Sequence, residues 1–202
     1  MLEILNSIGT PAIPIPTGQA AYTTPGTFTW ECPEDVYNVC FVIIAGGEPG
    51  QRSGSTASAG DGGGLRYRNN VPVVPGTKYT IVVGNGNGSP TSSALGTTVR
   101  SGRDFSGPFT GGGVGGSGEN KNYQLASSGK AGRYDGAYPG TNYRTNMVGA
   151  GIYGETDGSF GSGGWAQVDG GGSYSGSNGR GGAVRIIWGA NRRYPSTNVR
   201  DM

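Results

Sequence analysis

The chain has 202 residues, 43 of them glycine and 12 proline, with 14% charged residues, no histidine and a net charge of +2. That length suits one domain of ordinary size or two small ones. The missing histidine removes Ser-His-Asp and Cys-His nucleophiles and most zinc sites, and the near-neutral charge, without a basic run, gives no footing for nucleic acid.

Residues 1–26 are expected to form an extended N-terminal attachment arm. Pro11, Pro14, Pro16 and Pro25 rule out a helix and favour polyproline-type or edge backbone. Ile4, Leu5, Ile8, Ile13 and Ile15 make it apolar, so it either docks on a neighbouring subunit or folds back on its own domain. Met1–Leu5 lacks a positively charged start and a long apolar core, so no signal peptide is expected. No apolar run reaches the roughly 18 residues of a membrane span, and no membrane insertion is expected.

Residues 27–189 read as a glycine-rich β-domain. Thr27–Trp30 is a strand with Phe28 and Trp30 on one face. A turn at Pro33–Asp35 precedes a strong strand from Tyr37 to Ala45, so that Cys32 and Cys40 could face each other across a hairpin as a disulfide or as buried thiols. Val71–Gly76 ends in a Pro-Gly turn; Thr77–Val83 and Thr97–Arg100 are further strands. Gly46–Gly64 is a glycine-rich insertion.

The stretch 101–182 holds 26 of the 43 glycines and no aliphatic run long enough for a conventional core. Glycine recurs at threes (Gly158, Gly161, Gly164; Gly176, Gly179, Gly182), the period of an extended three-residue helix, but the period does not persist, which excludes collagen. Such helices pack through backbone alone when glycine lines a face. The region is therefore a packed polyglycine II lattice or a mobile functional loop, since a structureless connection of that length is uncommon. Val184–Trp188 restores a strong strand, and 190–202 is a polar C-terminal tail. No stretch combines helical periodicity with freedom from glycine and proline, so the fold class is all-β: an antiparallel β-sandwich framing the glycine-rich region.

Enzymatic motifs are missing. Gly129-Lys130 is followed by Ala131, which breaks the phosphate-loop pattern. The glycines at 111, 113 and 116 match a dinucleotide string that chance supplies in so glycine-rich a chain. Asp61, Asp104, Asp135, Asp157 and Asp169, with Glu119 and Glu155, read as turn residues rather than paired catalytic carboxylates. No calcium loop is present, Asn87-Gly88-Ser89 reads as a turn, and no cofactor, metal or catalytic residue is expected. What stands out instead is aromatic and polar residues set among glycine. Tyr123, Tyr134, Tyr138, Tyr143, Arg144, Tyr153, Trp165 and Tyr174 are the candidate receptor-contact residues. Tyrosine among glycine, serine and asparagine suits recognition, because the ring offers rigid area and a polar tip at small entropic cost.

The opening Tyr22-Thr23-Thr24-Pro25-Gly26-Thr27-Phe28-Thr29-Trp30-Glu31-Cys32-Pro33, the continuation Val42-Ile43-Ile44-Ala45-Gly46-Gly47 and then residues 69–84 through Val71-Pro72-Val73-Val74-Pro75-Gly76-Thr77, and the closing Gly182-Ala183-Val184-Arg185-Ile186-Ile187-Trp188-Gly189 with Arg193-Tyr194-Pro195-Ser196-Thr197-Asn198 resemble glycine-rich structural proteins of T4-like phages and cyanophages. The glycine-rich middle is similar to phage tail-fibre adhesins with packed polyglycine helices, although Glu48, Pro49, Gln51 and Arg52 interrupt the run after Ala45. The resemblance implies a virion protein made in the bacterial cytoplasm, without saying which part of the particle; the expected strands framing a long, aromatic-spotted glycine region point to a non-enzymatic tail-fibre or baseplate-associated adhesin contacting a host surface glycan or outer-membrane protein. It would join other virion proteins through the arm and occur as a homo-oligomer or in many copies per particle. The alternatives are a capsid decoration or tail connector, and a polysaccharide depolymerase.

Overall fold

The computed structural model describes residues 16–102, 105–113, 117, 120–122, 125–126, 160–161, 163–164, 166–168 and 173–194. In chain order the strands are β1 (Gly18–Tyr22), β2 (Gly26–Glu31), β3 (Asn38–Ile44), β4 (Gln51–Ser53), β5 (Thr56–Ser58), β6 (Leu65–Pro72), β7 (Lys78–Val83), β8 (Ser92–Ala94), β9 (Thr97–Val99), β10 (Phe105–Ser106), β11 (Gly111–Gly113), β12 (Asn120–Asn122), β13 (Leu125–Ala126), β14 (Ala166–Val168), β15 (Tyr174–Gly176) and β16 (Ala183–Trp188). The described residues contain no helix, and all strand pairing is antiparallel.

Two five-stranded sheets, β1-β16-β3-β6-β11 and β10-β9-β8-β7-β2, form a sandwich. Alternation along β3 explains it. Val39, Phe41 and Ile43 join Val184 and Ile186 of β16 against Trp30, Ile81, Val83, Ala94 and Val99 of the second sheet. Cys40, Val42 and Ile44 point the other way, into a smaller cluster with Leu65, Tyr67, Ala183, Ile187 and Tyr194, on which Phe160 packs. The first sheet is therefore apolar on both faces, so β3 and β16 read as continuous hydrophobic runs. Strand β6 carries a bulge: Val39 pairs with Val71 but Phe41 pairs with Arg68, leaving an extra residue at Asn69–Asn70, where Asn70 has φ of 53°. The extra residue flips the side-chain parity and sends Val71 and Val73 into the core.

Beyond the sandwich, four strands run directly into glycine segments: β3 into 45–50, β7 into 84–90, and segments 59–64 and 177–182 into β6 and β16. These segments, with 160–164, bond in three dimensions. Gly46 N donates to Pro90 O (2.7 Å), Gly47 N to Arg180 O (2.9 Å), Glu48 N to Asp61 O (2.9 Å) and Gly50 N to Ser177 O (3.0 Å), while Gly164 N donates to Glu48 O (2.8 Å). Segment 45–50 thus bonds four neighbouring segments, where a strand in a sheet has two. Gly179 N to Gly86 O and Gly182 N to Gly84 O, both 2.8 Å, close the array. Two stacked sheets normally stand ~10 Å apart, separated by side chains. Glycine removes the spacer, so chains from both sheets meet backbone to backbone. The lattice draws on 45–64 and 84–90 as well as on the expected stretch 101–182, and Glu48 takes part through its backbone, despite its side chain.

Past the lattice lie two three-stranded sheets, β12-β5-β4 and β13-β14-β15, whose shared core is Ala57, Ala59, Ala166 and Val168.

The expected hairpin between Cys32 and Cys40 is corrected, and of the two alternatives the structure has the buried thiols. Strand β2 pairs with β7 and β3 with β6 and β16, so β2 and β3 are in different sheets and form no hairpin. Cys32 lies in the inter-sheet core and Cys40 in the cluster on the far side of the first sheet; both are free and buried. Of the arm, Gly18–Tyr22 is an edge strand on β16, and residues 1–15 lie outside the described residues.

Candidate functional site

Register gives the body two distinct ends. Gly18 pairs with Trp188 and Tyr22 with Val184, so the described chain starts at the end of the sandwich where β16 finishes and β3 begins. The lattice and the two small sheets lie at the opposite end, where β3 and β7 finish.

Of the candidate contact residues, Tyr174 is described. It opens β15, is 38% exposed, and donates its hydroxyl to Gly50 O at 2.6 Å, tying the outer sheet to the lattice. Tyr123, Tyr134, Tyr138, Tyr143, Arg144, Tyr153 and Trp165 lie outside the described residues. The described residues that bracket them are informative. Asn122 of β12 and Leu125 of β13 flank Tyr123; Ala126 of β13 and Phe160 flank the run from Tyr134 to Tyr153; Gly164 and Ala166 flank Trp165. The small sheets and the lattice edge thus hold both ends of every stretch carrying a candidate.

The sandwich end is held by a C-terminal clasp. Arg192 is buried at 9% exposure; its guanidinium donates to Gly18 O at 2.5 Å and Gln19 Oε1 at 3.1 Å, and its own carbonyl accepts the Cys40 thiol at 3.4 Å. Arg185, fully buried in β16, also donates to Gln19 Oε1. Asn69, at the bulge, accepts from Tyr194 N (2.9 Å) and donates to Tyr194 O (2.5 Å), and the Tyr194 and Tyr67 rings stand 6.3 Å apart. Sequence reading passes over these polar residues. Only folding shows that the Arg192 side chain grips β1 and that the Asn69 side chain of β6 grips the Tyr194 backbone.

Burial pushes both thiols above the ordinary cysteine range, keeping them protonated and poor nucleophiles. Burial raises the Tyr67 hydroxyl and lowers Arg66, whose guanidinium lies 5.0 Å from the Phe109 ring. Among the described residues no three His, Cys, Asp or Glu side chains converge as a metal site. Tyr37 (61%), Val74 (62%) and Phe109 (42%) are large apolar side chains left exposed.

Comparison with curated proteins finds no match. A family model described as a glycine-rich domain matches residues 23–198, from the turn before β2 through the closing clasp. With most of its length matched, strands and glycine segments together, this chain belongs to that glycine-rich domain family.

Proposed function

We propose that the protein is a non-enzymatic structural component of a tailed-bacteriophage particle, tail-fibre or baseplate-associated, that contacts the host surface through the aromatic residues of its glycine-rich region. The resemblance of the opening and closing motifs to phage structural proteins supports the particle assignment. The observation that carries the contact assignment is the two-ended body: β1 enters at one end, and the chain bracketing every candidate aromatic sits at the other. A rigid base under recognition residues lowers the entropy lost on binding.

The lattice also explains how so little side-chain volume supports a binding end. Each inter-segment N–H···O bond contributes about 1 kcal/mol net, and it must offset the conformational entropy of glycine, the largest of any residue. Anchoring to four strands of the sandwich reduces that cost, since the segments leave the sheets already directed.

Single alanine substitutions of Tyr134, Tyr138, Tyr143 and Trp165 test the reading. Loss of a central aromatic contact, worth ~1.4 kcal/mol or more, lowers adsorption to host cells about tenfold, with incorporation into particles unchanged. Normal adsorption by all four variants removes the host-contact assignment.

A further inference from the structure

We propose that the open edge of β2 binds a second copy of this chain, antiparallel about a two-fold axis through Thr29, so that the second sheets of two copies become one continuous sheet. This inference is independent of the host-contact reading. Strand β2 ends its sheet and pairs on one side, with β7. Cys32, the next residue, shows which backbone groups face β7: its N–H donates to Thr77 O at 3.0 Å and its carbonyl accepts from Gly76 N at 2.8 Å. Backbone direction alternates along a strand. Trp30 and Phe28 therefore also face β7, while the N–H and C=O groups of Thr27, Thr29 and Glu31 point outward from the sheet. Among the described residues nothing bonds to them, and all three residues are exposed.

Natural edge strands are usually guarded by Lys, Pro, a bulge or an inward charge. β2 has none of these over six residues, and its register with β7 is unbroken. Its one charge, Glu31, is terminal and pairs with Lys78 at 3.7 Å. Three other edges carry a partner or a charge: the Gly18 carbonyl of β1 accepts from Arg192, β4 carries Arg52, and β12 carries Lys121.

The occupant follows from self-complementarity. Centred on Thr29, antiparallel pairing sets Thr29 opposite Thr29 of the second copy, and each Thr27 opposite a Glu31. The three outward-directed residues then form hydrogen-bonded pairs, about six bonds in all. On the inner face each Phe28 meets a Trp30, an aromatic cross-strand pair. The two Glu31 carboxylates fall at opposite ends of the ladder, so no like charges meet.

The experiment is the solution mass of the purified full chain by light scattering. The parent chain runs as a dimer. Thr29→Pro removes an outward N–H and no β7 bond, so it runs at half that mass; edge strands tolerate proline at such positions. Thr29→Lys, which opposes two cations across the axis, also runs at half mass, and its unchanged circular dichroism spectrum shows intact folding if the proline variant misfolds. Thr29→Val keeps the dimer. A parent chain of monomer mass at every concentration overturns the proposal. So does a dimer or larger assembly that survives both Thr29→Pro and Thr29→Lys. A monomeric parent whose Thr29→Pro variant fails to enter particles also overturns it, giving the edge to a different protein.

Discussion

Asn69 holds Tyr194 at both backbone poles, accepting from its N–H at 2.9 Å and donating to its carbonyl at 2.5 Å, across 125 residues of sequence. One side chain thereby ties the segment after β16 to β6 at the bulge at Asn69–Asn70. Each of its two bonds has a specific polarity. Asn69→Ala should lower stability by about 2 kcal/mol. Asn69→Asp should lower it further, because the amide donor becomes a second acceptor facing the Tyr194 carbonyl. Urea denaturation midpoints of the three proteins check the order.

The lattice makes a steric prediction. A methyl group on Gly60 would stand 1.9 Å from Glu48 O, and one on Gly86 1.8 Å from Gly179 O. Both obstacles are backbone, so no side chain can swing aside. Gly60→Ala and Gly86→Ala should each cost about 3 kcal/mol or more. Gly54 is the control, with φ of 60° and open space around it; Gly54→Ala should cost only ~1 kcal/mol, the price of left-handed backbone. Equal costs at all three positions would mean that the glycines are needed for conformation and not for close approach.

Arg192 fastens the edge strand β1 through Gly18 and Gln19. Charge-assisted bonds of a buried guanidinium contribute about 1.5–3 kcal/mol each. Arg192→Ala should therefore raise amide exchange at Gln19–Tyr22 by one to two orders of magnitude, while β8 and β9, in the other sheet, keep their protection. Exchange followed by mass spectrometry distinguishes this local opening from a global loss of stability.

Alkaline pH should destabilise the fold through its buried acids. Cys32 and Cys40 have pKa values raised above 9.0 by burial, and Tyr22 and Tyr67 are raised above 10.0. The folded protein keeps these protons where the unfolded chain loses them. Their contribution is fully present below pH ~9 and is lost as pH rises through the folded values. Denaturation midpoints should fall steadily above pH ~9, and Cys32→Ala with Cys40→Ala should flatten the first part of that slope. A thiol reagent at neutral pH should label neither cysteine until the protein is unfolded.

Composition and alternation by themselves determined the all-β class, the strands β2, β3, β7, β9 and β16, and the Pro75-Gly76 turn, where Gly76 has φ of 72°. These are local matters, governed by side-chain period and backbone conformation within a few residues. Strand β6 was not legible as a strand from Leu65, because Arg66 and Arg68 interrupt its pattern and the Asn70 bulge reverses the parity that would reveal it. The clasp of Arg192, Gln19, Asn69 and Tyr194 was equally hidden, since polar residues announce a partner only when folding supplies one. Above all, the sequence shows where glycine is abundant but not which glycines meet. A residue without a side chain carries no pattern of its own, and its place in the lattice is decided by which carbonyl the neighbouring segment brings within reach, such as Arg180 over Gly47 and Ser177 over Gly50.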